Sequence, residues 1–171
     1  LDRENVDKTF FEVSLEDRLS MLTFFFEKSP HVSLGISSHG LFLDKLTALE
    51  EVYPSEISIY FIVGYDTITR ILDKKYYIDR NAALKALFKK SIFLVANRKD
   101  NCVDTIYDLL EQKENREFKA RVKALKIPDF FSDISSTRVR DYLKKGMPIS
   151  NLVPGKINQF ILERKLYLTN H

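Results

Sequence analysis

Apolar residues recur along this chain in two rhythms. Leu15, Leu19, Leu22 and Phe26 are separated by three and four positions, which predicts an amphipathic helix over 15–28. Ser14 followed by Asp17 resembles a capping box with Asp in place of Glu, and Pro30 stops the element. Residues 31–37 alternate apolar and polar, the period of a short strand, until Ser38, His39 and Gly40 break it. A helix is expected over 41–51, ending near Pro54. Ile57–Val63, "ISIYFIV", is nearly continuous and rich in β-branched and aromatic residues, as a strand buried on both faces would be. Gly64 follows at once, then helical stretches over 67–72 and 81–90. Ser91–Ala96, "SIFLVA", reads as a second buried strand. Residues 105–125 read as one helix and 127–134 as a short extended piece. Closing helices are expected over 136–145 and 155–166, separated by Gly146, Pro148 and Pro154.

Strands alternating with helices predict βαβ units, hence an α/β fold with a Rossmann-like parallel sheet and helices on both faces. Such a sheet binds ligands at the carboxyl ends of its strands. Attention therefore falls on the residues after "ISIYFIV", those after "SIFLVA", and the turn before the helix at 136. With 171 residues the chain is sized for a single domain, 1–171. Lys and Arg number 27 and Asp and Glu 24, a net charge of +3, too small for a broad grip on nucleic acid or membrane. The basic stretch 113–126 holds six Lys or Arg and two Glu, the mixture of a solvated helix face. One cysteine, Cys102, excludes an internal disulfide framework and a cysteine-based zinc site. It fits a reducing compartment, cytoplasmic or nuclear. No apolar run reaches the roughly 18 residues of a membrane span.

The segment Asp133–Leu143, "DISSTRVRDYL", puts Ser135, Ser136 and Thr137 where a helix begins. The first N–H groups of a helix have no internal acceptor and sit at its positive pole. Hydroxyl donors added there make a place for phosphate. Arg138 and Arg140 are two apart and point to different sides. Arg140, three residues after Thr137, shares its side of the first turn and is the candidate phosphate clamp. A helix cap alone requires one hydroxyl; here there are three and an arginine.

In "FIVGYDTITRIL", Gly64 lets a ligand approach the backbone, and Asp66 can accept hydrogen bonds from sugar hydroxyls. The alternative is a plain turn in which Asp66 caps a helix starting at Thr67. Asn97 and Arg98 follow "SIFLVA" in the same topological position, where Arg98 faces the same cleft or lies in a solvated loop.

Together, and in this order, these loops resemble the nucleotidyltransferase superfamily of the (H/T)xGH type, above all the nicotinamide/nicotinate mononucleotide adenylyltransferases. "ISSTRVR" is similar to that family's ISSTxxR signature. "VGYDTITRILDKKYY" is similar to its GxD motif as found in a fungal and plant branch. "NVDK" at Asn5–Lys8, "LFLDK" at Leu41–Lys45 and the closing "LVPGKINQFILERKLY" also resemble the family. The likeness implies attack of a mononucleotide phosphate on the α-phosphorus of ATP, giving NAD and pyrophosphate, with Mg²⁺ accompanying ATP. It implies that Ser135, Ser136, Thr137 and Arg140 hold ATP phosphates, with Arg140 catalytic. Gly64, Asp66 and Arg98 would contact the nucleotide, and Lys8 would lie near the substrate phosphate. No metal site of the protein's own is implied.

Two departures accompany the likeness. The (H/T)xGH motif is absent: His31, His39 and His171 lack its spacing. The chain starts at Leu1, so the first strand and the (H/T)xGH helix are expected upstream. Tryptophan, on which many members stack the nicotinamide ring, is also absent. Tyr76 or Tyr77 can stand in or can pack against the sheet. A transferase using CTP or another acceptor, and a nucleotide-binding pseudoenzyme or regulatory domain, are the alternative readings.

Overall fold

The computed structural model describes residues 13–38, 40–96, 103–128, 131 and 133–168. Its helices are α1 (Leu15–Phe26), α2 (Phe42–Val52), α3 (Tyr65–Leu72), α4 (Arg80–Lys90), α5 (Val103–Glu111), α6 (Ser136–Lys144) and α7 (Gly155–Glu163). The strands are β1 (Ile59–Gly64), β2 (Ser91–Ala96) and β3 (Val122–Leu125), with 3₁₀ turns at Lys74–Tyr76 and Arg116–Arg121. These elements form two compact units, one of Leu41–Asp133 and one of Leu1–Gly40 with Ile134–His171.

The Leu41–Asp133 unit is α/β, with a parallel sheet of order β1-β2-β3 flanked by helices. This is consistent with a Rossmann-like nucleotidyltransferase fold. β1 and β2 run in register from Ile59↔Ser91 to Gly64↔Ala96, and β3 joins with Val122 opposite Phe93. Parallel strands need long crossovers, which α3–α4 and α5 supply. Val63, Phe93, Val95 and Val122 bury one sheet face with Leu46, Ile68, Leu84, Leu87, Phe88, Ile106 and Leu110. The Phe42 ring meets Phe61 and Phe93 edge-on at 5.1 and 5.5 Å, a favoured aromatic geometry. β2 follows the sequence reading to the residue. β1 does not: it is buried on one face only, leaving Tyr60 51% and Ile62 69% exposed. As the end strand of the described sheet, β1 has a neighbour on one side alone.

The expected helix over 105–125 is three elements. α5 ends at Glu111, and the buried Asn115 donates from Nδ2 to the Leu109 carbonyl at 2.8 Å. That bond serves a carbonyl at the helix end and turns the chain. Val122 and Ala124 then alternate inward from β3, while Lys123 faces out. Arg80 braces this corner. It donates to Leu72 O at 2.7 Å, to Glu114 O at 3.0 Å and to Asn115 Oδ1, joining the end of α3 to the turn after α5.

In the other unit, Val139 and Leu143 of α6 and Ile161 of α7 are buried with Ile149 and Leu166. α1 begins as its sequence predicts: Ser14 Oγ accepts from the Asp17 N–H at 3.0 Å. It is held to α7 by Arg164 on Asp17 at 2.6 Å, by Lys156 on Glu27, and by Phe24 edge-on to Phe160 at 5.2 Å. Gly146, at φ 66°, closes α6 and donates to Leu143 O at 3.0 Å. That backbone conformation suits glycine. The strand expected over 31–37 is not formed. Ser37 makes only an isolated bridge, and Val32, Leu34 and Ile36 are all exposed. An alternating pattern yields a strand only where a neighbour completes the ladder. Among the described residues no helix is long and apolar enough to cross a membrane.

Candidate functional site

The turn into α6 is built by Ser135. Its extended backbone (φ −146°, ψ 154°) leads in, and its Oγ accepts from the Arg138 N–H at 3.1 Å. One hydroxyl is therefore spent as the helix cap. Ser136 and Thr137 occupy the first two helical positions, both exposed, where backbone N–H groups have no intrahelical acceptor. The two arginines diverge as their spacing predicts. Arg138 lies over the Tyr142 ring at 5.4 Å and donates to Tyr142 Oη at 3.2 Å. Arg140 Nη2 donates to Thr137 Oγ1 at 3.3 Å. Within residues 136–140 the turn thus gathers a guanidinium, two hydroxyls and a positive helix end, a donor set suited to phosphate oxygens.

The second cluster lies at the carboxyl end of β1. Gly64 caps α3 with φ −86° and ψ 169° and no side-chain cap bond. The helix starts at Tyr65, two residues earlier than the pattern predicts. Asp66 therefore stands inside the first turn, exposed, and the expectation that it caps a helix from Thr67 is corrected. A helix beginning at glycine needs no side-chain oxygen to turn the corner, and the carboxylate is left on the surface at the helix's positive end. A Cβ built on Gly64 would meet no atom within 4 Å. The packing of the described residues therefore does not require glycine here. Arg70, one turn along α3, donates from Nε to the Asp66 carbonyl at 3.0 Å. The sequence reading passed over this cation, although the four-residue spacing from Asp66 was its signal.

Ala96, the last residue of β2, pairs with Gly64 across the sheet. Arg98 itself, and Lys8, lie outside the described residues. Tyr77 Oη donates to Ile71 O at 2.8 Å, and its ring packs against the sheet core. Burial pushes this phenol up to about 12. Tyr76 sits in the 3₁₀ turn with Lys75 Nζ 4.7 Å above its ring. The structure thus brings together Ser135, Ser136, Thr137 and Arg140 in one unit, and Gly64 and Asp66 in the other. Among the described residues no group of three or more His, Cys, Asp or Glu is arranged to hold a metal ion.

No family model matches the chain. Three curated bacterial relatives carry the name "Probable nicotinate-nucleotide adenylyltransferase". The one from Lachnoclostridium phytofermentans is 22% identical over 158 residues, covering 90% of this chain and 74% of the relative. That of Clostridium botulinum is 29% identical over 155 residues, covering 88% and 72%. That of Clostridium tetani is 32% identical over 115 residues, covering 67% of this chain and 52%, about half, of the relative. These distant likenesses support the resemblance to the nicotinamide/nicotinate mononucleotide adenylyltransferase family.

Proposed function

We propose that this protein transfers the adenylyl group of ATP to a pyridine mononucleotide, forming the dinucleotide and pyrophosphate. The observation that carries the reading is the turn into α6, where Arg140 lies against Thr137 at a helix start in the sequence "ISSTRVR". The printed names of the relatives favour nicotinate mononucleotide as the acceptor to test first.

In this reading the acceptor phosphate attacks the α-phosphorus of ATP, and the bond to the β-phosphate oxygen breaks. Negative charge collects on the leaving pyrophosphate. Arg140, the Ser136 and Thr137 hydroxyls and the helix end would neutralise that charge and hold the phosphates in line. Asp66 would bind ribose hydroxyls, and Gly64 would leave room for the nucleotide. Arg98 would add charge to the same nucleotide, and Lys8 would meet the acceptor phosphate. Mg²⁺ would enter with ATP and supply charge neutralisation to its phosphates. No covalent protein intermediate is needed. Of the two tyrosines Tyr76 is the candidate for stacking on the pyridine ring, since Tyr77 packs against the sheet core and its hydroxyl is bonded to Ile71.

The test is pyrophosphate release by the full-length protein given ATP with nicotinate or nicotinamide mononucleotide. Formation of the dinucleotide with either acceptor supports the reading. ATP binding without turnover on either would favour the nucleotide-binding regulatory alternative.

A further inference from the structure

The amino ends of the strands, at the opposite end of the sheet from Gly64, frame a concavity of about 280 Å³. β1 has six residues, so the two ends are about 20 Å apart at roughly 3.3 Å per residue. The concavity is lined by Glu50 near the end of α2, Ser55 and Ser58 before β1, Lys89 and Lys90 at the end of α4, and Arg121 before β3. All belong to the Leu41–Asp133 unit.

Three cations thus face one carboxylate. Lys90 pairs with Glu50 at 2.5 Å, which accounts for one of them. Among the described residues neither Lys89 nor Arg121 has a carboxylate partner. Attraction to the negative end of α4 explains a lysine in its last turn, yet the Leu87 carbonyl there already receives both the N–H and the Oγ–H of Ser91. Nor does that helix explain Arg121, which comes from the 3₁₀ turn. Two uncompensated cations from separate elements and two serine hydroxyls around a hollow form a donor set with no acceptor of its own. Their number and charge match a dianion with several oxygens.

We propose that this groove binds a phosphate group, free or carried by a small metabolite, at a site separate from the strand-end loop. The inference stands whatever reaction occurs at Asp66, because none of its residues belongs to that loop. The test is a titration of the full chain with inorganic phosphate, followed by backbone amide shifts, with potassium chloride at matched ionic strength as control. Saturable shifts at Ser55, Ser58 and Lys89 are expected. They should weaken about tenfold or more in a Lys89→Gln/Arg121→Gln double variant, the cost of a lost charge-assisted contact. Both side chains are exposed, and a circular dichroism spectrum checks the fold. A parallel titration with adenosine monophosphate separates the sources: tighter binding there than for inorganic phosphate indicates a phosphorylated metabolite, and equal binding indicates free phosphate. Groove shifts that fail to saturate, that chloride reproduces, or that the double variant retains would overturn the proposal.

Discussion

Asp66 is exposed and Arg140 half-buried, and neither belongs to a hydrophobic core, so each makes a sharp test. Arg140→Ala should lower turnover by about 10²–10³-fold, the scale on which transition-state charge stabilisers act, with an unchanged circular dichroism spectrum. Arg140→Lys should recover only part of it, because an ammonium lacks the planar fork. Unchanged pyrophosphate release by either variant would remove Arg140 from the phosphate site. For Asp66→Ala, calorimetry should show ATP affinity falling about tenfold, as for a lost charged hydrogen bond. Because Asp66 makes no cap bond, the variant's melting temperature should hold within a few degrees; a large drop with intact affinity would mean a structural carboxylate. Tyr77 offers a pH test. Burial raises its pKa from 10.0 to about 12, so above pH 10 the unfolded state gives up the proton that the fold retains. The group's contribution is complete below pH 10 and lost as pH rises toward 12. Unfolding titrations of Tyr77→Phe against the unaltered protein should show a shallower loss over that window. At this scale the hydroxyl turn was legible because the residue types state their chemistry. The Tyr77 bond was not, since its acceptor is a backbone carbonyl.

At the scale of elements, legibility followed burial. "SIFLVA" became β2 without adjustment because its residues are the most enclosed in the sheet, and packing there agrees with propensity. β3 stayed hidden because "VKAL" is four residues long and sits among lysines and arginines that read as a helix face. What divides α5 from β3 is a polar contact, and hydrophobic periodicity does not report those. Asn115 bonds Leu109 O and meets the Arg80 guanidinium while only 2% exposed. Asn115→Leu should therefore cost about 1–3 kcal/mol, through unpaired groups left at Leu109 and Arg80, and chemical denaturation would measure it. A cost near zero would mean that the corner is held by the Phe88–Phe118 stack, whose rings are 4.9 Å apart. The short segment 31–37 shows the converse error, a convincing alternation that among the described residues forms no more than the single bridge at Ser37.

Over the whole molecule, the +3 charge resolves into local groupings of cations at the turn into α6 and at the amino end of the sheet. The arrangement of the two units also has a temporal consequence. The sheet unit is one uninterrupted stretch, Leu41–Asp133, whereas the other is assembled from chain on both sides of it. The links between α1 and α7 join residues 129 and 147 positions apart. Closing so long a loop through unstructured chain is entropically costly and slow; a folded sheet unit shortens the span. During synthesis α1 must wait for α7, which is made after the sheet unit, while β1, β2 and β3 can pair earlier. Pulse-labelled hydrogen exchange during refolding should therefore protect the strand amides before those of α1 and α7. On the ribosome, the unit that contains the turn into α6 would reach its final form after the sheet unit.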